Sequence, residues 1–124
     1  MASVPFFLRG QVVIAAGGGT GTFSYPVAAL QTLHLKTLQY TSTGVFGLYG
    51  IRNTNGRLYT NASQATPILS AWLQLGASPN IGLMNLPDEI VIAGSDAIII
   101  DILDTSGAAN TINLLLVGSL DLGG

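Results

Sequence analysis

Glycine, proline and clusters of asparagine and aspartate interrupt this chain so often that only short segments of regular structure fit between them. The pieces that remain are roughly four to ten residues long and rich in β-branched residues, a spacing typical of β-sandwiches and barrels. The length predicts one domain, spanning residues 1–124. We therefore expect a single all-β domain with antiparallel strands and at most one short helix.

Strand-like patterns recur along the chain. The predicted strands cover residues 11–16, 22–27, 33–41, 45–52, 89–93, 97–103 and 111–122. Pro26 favours an edge position for the second of these, because proline cannot donate a hydrogen bond to a sheet ladder. Residues 97–103 are apolar on both faces, as in a strand covered on both sides. In a small sandwich only one face of such a strand packs on the core, so the second apolar face predicts contact with another subunit.

The segment Asn53-Thr54-Asn55-Gly56 is the strongest local turn signal. Asn-Gly favours a type I′ turn, because both residues tolerate positive φ. We therefore predict a hairpin that joins residues 45–52 to residues 57–61. Gly47 and Gly50 indicate a bulge or a close backbone approach within its first arm.

Residues 64–76 allow two interpretations. Pro67 near the start and Gly76 as a C-cap would suit a short helix with partial helical periodicity. An extended segment that crosses between sheets is the alternative.

Charge is scarce, at 8% of the residues against about 25% in an ordinary soluble domain. The few basic residues are scattered, so they form no basic patch of the kind that would predict nucleic-acid binding. Residues 58–87 are free of charge but interrupted by polar residues and prolines, so they do not resemble a membrane span. The absence of cysteine excludes disulfides and cysteine-ligated metals. We interpret the chain as a structural protein, not an enzyme, whose surface is partly covered by neighbours.

The glycine-rich segment Gly17-Gly18-Gly19-Thr20-Gly21-Thr22 matches six residues of the phosphate-cradling GGGTGTG signature of tubulin-like GTPases. The seventh position is Phe23, and no helix start follows that could supply a dipole. We interpret the segment as a plain flexible loop.

His34 is the only histidine, and its predicted neighbours on the same strand face, Lys36 and Tyr40, are not metal ligands. We expect a half-exposed structural histidine. Acidic residues gather in the last third of the chain, where most flank turns that aspartate caps. They are Asp88, Glu89, Asp96, Asp101 and Asp104. A calcium site there is the less favoured alternative, and we predict no catalytic residue, cofactor or metal.

Phe6, Phe7 and Trp72 are the candidate interface residues. The two phenylalanines belong either to the core or to a short N-terminal arm (1–8) that docks into a neighbour, and the sequence favours neither. For Trp72 we favour core packing over a sugar-stacking platform or an interface anchor. With no signal-peptide pattern at the start, the N-glycosylation acceptor Asn61-Ala62-Ser63 is interpreted as incidental.

A set of segments in the second half of the chain is patterned in a familiar order. Gly56-Arg57-Leu58-Tyr59-Thr60-Asn61 comes first, followed by Leu86-Pro87 before the strand at 89–93 and by the strand at 97–103. The loop Asp104-Thr105-Ser106-Gly107-Ala108-Ala109-Asn110-Thr111 then leads into a final apolar strand. This order resembles small jelly-roll-like virion proteins of tailed bacteriophages, of the kind that decorate or cement the head.

The resemblance implies a jelly-roll-like β-sandwich located in the virion. It also implies a homo-oligomer, first of all a trimer, that binds the major capsid protein and has neither nucleic acid nor membrane as a partner. A carbohydrate- or receptor-binding module of a viral tail or fibre is the rival interpretation. It predicts exposed aromatic residues near polar loops, with Trp72, Tyr25, Tyr49 and Tyr59 as the candidates.

Overall fold

The structure, a computed structural model, describes residues 2–123 apart from the side chain of Pro79. Nearly all regular structure is β, as predicted. The strands are β1 (Ser3–Ile14), β2 (Thr20–Pro26), β3 (Thr32–Ser42), β4 (Phe46–Arg52), β5 (Ile68–Leu69), β6 (Gln74–Leu75), β7 (Ser78–Ala93), β8 (Ala97–Asp104) and β9 (Asn110–Asp121). A short 3-10 helix, Ser70–Trp72, lies between β5 and β6. No helix in this part of the chain is long and apolar enough to cross a membrane.

The strands form two sheets of antiparallel pairs. One sheet has the order β1-β9-β3-β7-β6, and the other has the order β2-β8-β4-β5. The chain alternates between the sheets from β1 to β4, and the last strands return beside the first ones. This double-sheet arrangement is that of a jelly roll, so the predicted sandwich is confirmed. Pro26 lies at the end of an edge strand, as expected.

The core lies between the two sheets and follows the alternation of the strands. Inward positions of β8 and β9, such as Ile100 and Leu116, have no exposed surface. The same alternation separates Phe6 from Phe7, because successive side chains of a strand point to opposite faces. Phe6 is 8% exposed and packs in the core against Tyr25, with ring centroids 5.4 Å apart, whereas Phe7 is 67% exposed.

Residues 1–8, for which an arm was considered, belong to a sheet from Ser3 onward. β1 pairs with β9 along its whole length, from Ser3 opposite Asp121 to Ile14 opposite Asn110. The backbone of this segment is therefore held by a ladder of hydrogen bonds within the chain's own sandwich.

The predicted hairpin between 45–52 and 57–61 forms only next to its turn, where the N–H of Tyr59 donates to the carbonyl of Ile51 at 2.8 Å, and 57–61 is not a strand. β4 pairs with β8 and β5, and only an isolated bridge joins Arg52 to Leu58. In the turn, Asn53 Oδ1 accepts the backbone N–H groups of Asn55 and Arg57 at 3.0 and 2.9 Å. Positive φ falls on Gly56 alone within the turn, at 82°. This is a type I turn followed by a left-handed glycine, not type I′.

Residues 64–76 form the extended crossing between the sheets, so the helical alternative is wrong except for one 3-10 turn. Ser70 anchors this crossing from a fully buried position. Its hydroxyl accepts the N–H of Phe46 at 2.9 Å, and its carbonyl accepts the hydroxyl of Tyr40 at 2.6 Å. These bonds fix the chain in transit between two sheets, where a longer helix would have no apolar face to pack against.

The bulge and close approach predicted in β4 are both present. The register against β8 shifts between Leu48 and Gly50. A Cβ added at Gly47 would lie 2.7 Å from the Cβ of Pro67, so the crossing segment packs directly on that backbone.

Candidate interaction surfaces

The solvent side of the five-stranded sheet, here called the outer face, carries large exposed apolar side chains. Phe7 and Val13 of β1 are 67% and 64% exposed, and Ile81 and Val91 of β7 are 48% and 45% exposed. Phe7 stands directly opposite Val117 of β9 in the register. The solvent face of an antiparallel sheet is commonly polar. The apolar content of this face therefore marks it as a candidate contact surface.

A groove of about 400 Å³ lies on the outer face. Its walls include Arg9, Gln39, Leu75, Ile81, Asn113 and Leu115. Gly82 also borders the groove, but a Cβ there would point inward and collide with the ring of Tyr40, which lies in the core. The missing side chain therefore lets Tyr40 reach the crossing segment, and the groove itself has both apolar and hydrogen-bonding walls.

His34 lies on the same face, between two carboxylates. Its Nδ1 is 2.8 Å from Glu89 Oε1 of β7, and its Nε2 is 2.9 Å from Asp121 Oδ2 of β9. Hydrogen bonds to Glu89 and then Asp121 raise the pKa of His34 above its ordinary value of 6.5. Both ring nitrogens donate when the imidazole is charged, so this His34 cluster (His34, Glu89 and Asp121) joins three neighbouring strands.

The predicted half-exposure of His34 is confirmed, but Tyr40, one of its two predicted neighbours on that face, was placed wrongly. A register shift between Leu35 and Thr37 interrupts the alternation of β3. Tyr40 consequently points into the core, at 5% exposure, away from the face that holds His34. Glu89 and Asp121 lie 55 and 87 residues away in sequence, and no local pattern signals them.

Trp72 lies on the crossing segment and is 70% exposed, so the favoured core packing is wrong. It borders a groove of about 570 Å³ that is also lined by Asn61, Thr66, Pro67 and Leu69. An exposed indole beside amide and hydroxyl groups suits either an interface anchor or a sugar platform. This second surface, here called the Trp72 groove, includes the acceptor asparagine of the glycosylation pattern.

The tyrosines proposed alongside Trp72 are not gathered around it. Tyr25, Tyr49 and Tyr59 are all half-buried, and none of them lines the Trp72 groove. Tyr25 packs on Phe6, and the guanidinium of Arg57 lies 5.3 Å from the ring centre of Tyr59. Trp72 is therefore the aromatic residue that this groove presents.

The glycine-rich loop is tied to the chain's own carboxylate. Gly18 N–H donates to Asp104 Oδ2 at 3.0 Å. Asp104, 3% exposed, also accepts Ser106 Oγ at 2.6 Å and Asn110 Nδ2 at 3.0 Å. Burial by itself raises the pKa of Asp104, but hydrogen bonds from Ser106, Gly18 and Asn110 outweigh it and hold the pKa well below its usual range. An internal anion thus takes the position that a phosphate would need.

Asp101 and Asp96 also bind within the chain. Asp101 pairs with Arg52 Nε at 2.8 Å and accepts Thr22 Oγ1 at 3.0 Å, which accounts for a carboxylate in an isoleucine-rich strand. Asp96 caps the N–H groups of Thr54 and Ala97, and these bonds lower its pKa. Between residues 2 and 123 no three His, Asp or Glu side chains are grouped so that they could hold a metal ion.

Comparison with solved structures finds a structural likeness. No family model and no curated protein matches the chain. The fold is similar to a chain in a solved structure of infectious bursal disease virus, Gx strain, with 21% identity and a TM-score of 0.42. The similarity covers 96% of this chain and 31% of the viral one, so this chain spans less than a third of that neighbour's length.

Proposed function

We propose that this protein is a viral structural subunit that decorates or cements a capsid. It would act through contacts with copies of itself, in a trimer first of all, and with the major capsid protein. The observation that carries the proposal is the outer face, where Phe7 and Val13 are about two-thirds exposed in a chain with few charges to keep it dispersed. A jelly roll is also an architecture that capsid proteins use.

Several of the acidic groups are already paired within the molecule. Asp101 and Asp104 are buried in hydrogen bonds, and Glu89 and Asp121 bind His34. Few charges are left to keep the surface hydrated, and a partner covering that surface would remove the apolar area from water. This composition supports a structural role better than it supports catalysis.

The native mass and shell binding test the proposal. Light scattering on the purified protein, followed by co-sedimentation with shells of the major capsid protein, should give an oligomer that pellets with the shells. A stable monomer that stays in the supernatant would contradict it. Trp72→Ser should weaken shell binding if the Trp72 groove contacts the shell, whereas Leu30→Ser, at an 85% exposed residue, serves as the matched control.

A carbohydrate-binding module is the second candidate, and the Trp72 groove favours it. Sugars stack on exposed indoles and hydrogen-bond to groups such as those of Asn61 and Thr66. Trp72 is the only tryptophan, so its fluorescence reports directly on this groove. A glycan array followed by titration should show saturable quenching if the module binds sugar. An array without hits would remove this candidate.

A further inference from the structure

We propose that the outer face seats a second copy of this chain, face to face, about a two-fold axis. The inference deepens the proposed function and rests on it, because it names the face through which copies of the subunit meet. An isologous contact of this kind requires a self-complementary surface, in which each residue and its partner exchange roles between the copies. Such a contact needs apolar side chains, charges placed so that opposite signs meet, and enough buried area.

The charges on the outer face are balanced and separated along the strands. Arg9 and Lys36 are exposed and form no ion pair within the described part of the chain. Glu89 and Asp121 supply two carboxylates to the same face, and their side chains remain 41% and 28% exposed beside His34. One copy therefore offers both the cations and the carboxylates that a second copy needs.

The register of β1 and β9 places these charges at matched distances from a common centre. Arg9 stands opposite Leu115, and Ser3 stands opposite Asp121. The two rows are six residues apart along the strands, or about 20 Å. A two-fold axis exchanges these rows. It lies between the facing sheets, runs perpendicular to the strands and passes at the level of Phe6 and Gly118. Arg9 of each copy then lies over the row of Asp121 in the other.

Next to the axis the outer face combines the apolar Phe7 and Val117 in one row with Ser119 and His34 in another. Phe7, 67% exposed, lies next to the axis and meets the row of Pro5 and Ser119 from the second copy. Packed sheets lie about 10 Å apart, a gap that an aromatic side chain fills. An extended arginine and an aspartate can bridge it at the periphery.

The overlap is large enough for a weak specific contact. Four long strands spaced about 4.8 Å apart span about 19 Å, and the overlap, which ends at the row of Asp121 three residues from the axis, spans about 24 Å. This corresponds to about 450 Å² of flat area per copy and about 900 Å² in total, at the low end of the range for specific interfaces. The protruding Phe7 side chain adds to this area.

A charge exchange tests the two-fold contact in the full chain. Arg9→Asp and Asp121→Arg should each weaken self-association by roughly tenfold or more, because like charges then face each other. An equimolar mixture of the two variants should recover the association, since each supplies the charge that the other lacks. Arg57→Asp makes the same charge change in the loop after β4 and should leave the assembly mass unchanged. Sedimentation equilibrium gives the association constants.

Wild-type protein should form dimers, or hexamers if trimers pair through this face. A wild-type monomer or an unpaired trimer would overturn the inference. So would an assembly that Arg9→Asp leaves as intact as Arg57→Asp does, which would place the contact elsewhere, for example along the β1 edge. If Asp121→Arg fails to fold, judged by its thermal unfolding, Phe7→Ser replaces it and should dissociate the assembly without loss of fold.

Shell binding of the same variants separates this inference from the proposed function. If Arg9→Asp is dissociated but still pellets with shells, both stand. If the wild type pairs through this face but never binds a shell, the decoration role fails and the two-fold contact stands. If the wild type binds shells as an unpaired subunit, the contact fails and the decoration role stands.

Discussion

Two polar clusters hold strands and loops together in this sandwich, and they do so in opposite environments. Asp104 is 3% exposed and accepts hydrogen bonds from the loops that follow β1 and β8, while its partner Asn110 binds Gly44 in the loop between β3 and β4. The His34 cluster lies on the outer face, where its side chains are 22–41% exposed. The first cluster holds the pKa of its carboxylate well below the ordinary value, whereas the second holds the pKa of its histidine above the ordinary value.

Burial decides how much each of these polar groups contributes to the free energy of unfolding. A buried carboxylate is tolerated only when donors replace the water it has lost, and Asp104 has backbone and side-chain donors on both oxygens. Water competes for every bond of the His34 cluster, so its ion pairs contribute little. We therefore expect the Asp104 cluster to govern stability and the His34 cluster to govern the response to mild changes of pH.

The largest effect should come from Asp104→Asn. In this variant the side-chain amide places an NH₂ group against the backbone N–H donors of residues such as Gly18 and Gly107. These buried N–H groups then lose the carboxylate oxygen that accepted them. We expect the free energy of unfolding to fall by about 2–4 kcal/mol, measured by urea denaturation. Asp88→Asn is the control at an exposed acid and should change it by less than about 0.5 kcal/mol. Equal effects in the two variants would contradict the comparison.

Asn110→Ala should have the next largest effect, about 2 kcal/mol. Asn110 is 1% exposed, accepts the N–H of Gly44 at 3.0 Å and donates to the carbonyl of Val45 at 3.0 Å. Because Asn110 also donates to Asp104, the double variant should lose less than the sum of the single losses. Strict additivity in the urea midpoints would show that the two residues act separately.

Acid should destabilise the protein through Asp104. Its folded pKa lies below the ordinary value of 3.8, so its contribution is complete above pH 3.8 and is lost as the pH falls toward the folded value. Asp96, whose pKa is also lowered, adds to the same loss. The unfolding temperature should therefore fall steeply below pH 3.8 in the wild type and less steeply in Asp104→Asn. Identical slopes would argue against the assignment.

The smallest effect belongs to His34, in the opposite pH direction. Its folded pKa is raised, so its stabilisation is complete below pH 6.5 and is lost as the pH rises through the folded pKa. The loss should be below about 1 kcal/mol, because the pairs are partly exposed. A proton NMR titration of this single histidine gives the pKa directly, and Glu89→Gln should lower it. A pKa at or below 6.5 in the wild type would refute the paired geometry.

Local patterns predicted the elements that local physics controls. The strands predicted at 97–103 and 111–122, the bulge in β4 and the edge position of Pro26 follow from alternation, glycine and proline, whereas β7 begins at Ser78, well before the strand predicted at 89–93. The hairpin after β4 extends no further than its turn and one bridge, because β5 pairs with the rest of that edge of β4. The burial of Trp72 failed because residues 64–76 cross between sheets instead of packing as a helix.

The sequence alone determined an all-β sandwich with few charges, because alternation, breakers and composition are properties of neighbouring residues. Only the tertiary structure decided which groups meet. The carboxylates at His34 and the donors at Asp104 come from strands and loops distant in sequence. It also decided which phenylalanine faces solvent, since the register of β1 on β9 sends Phe6 inward and Phe7 outward. Pairing partners depend on the whole sheet order, which no single segment encodes.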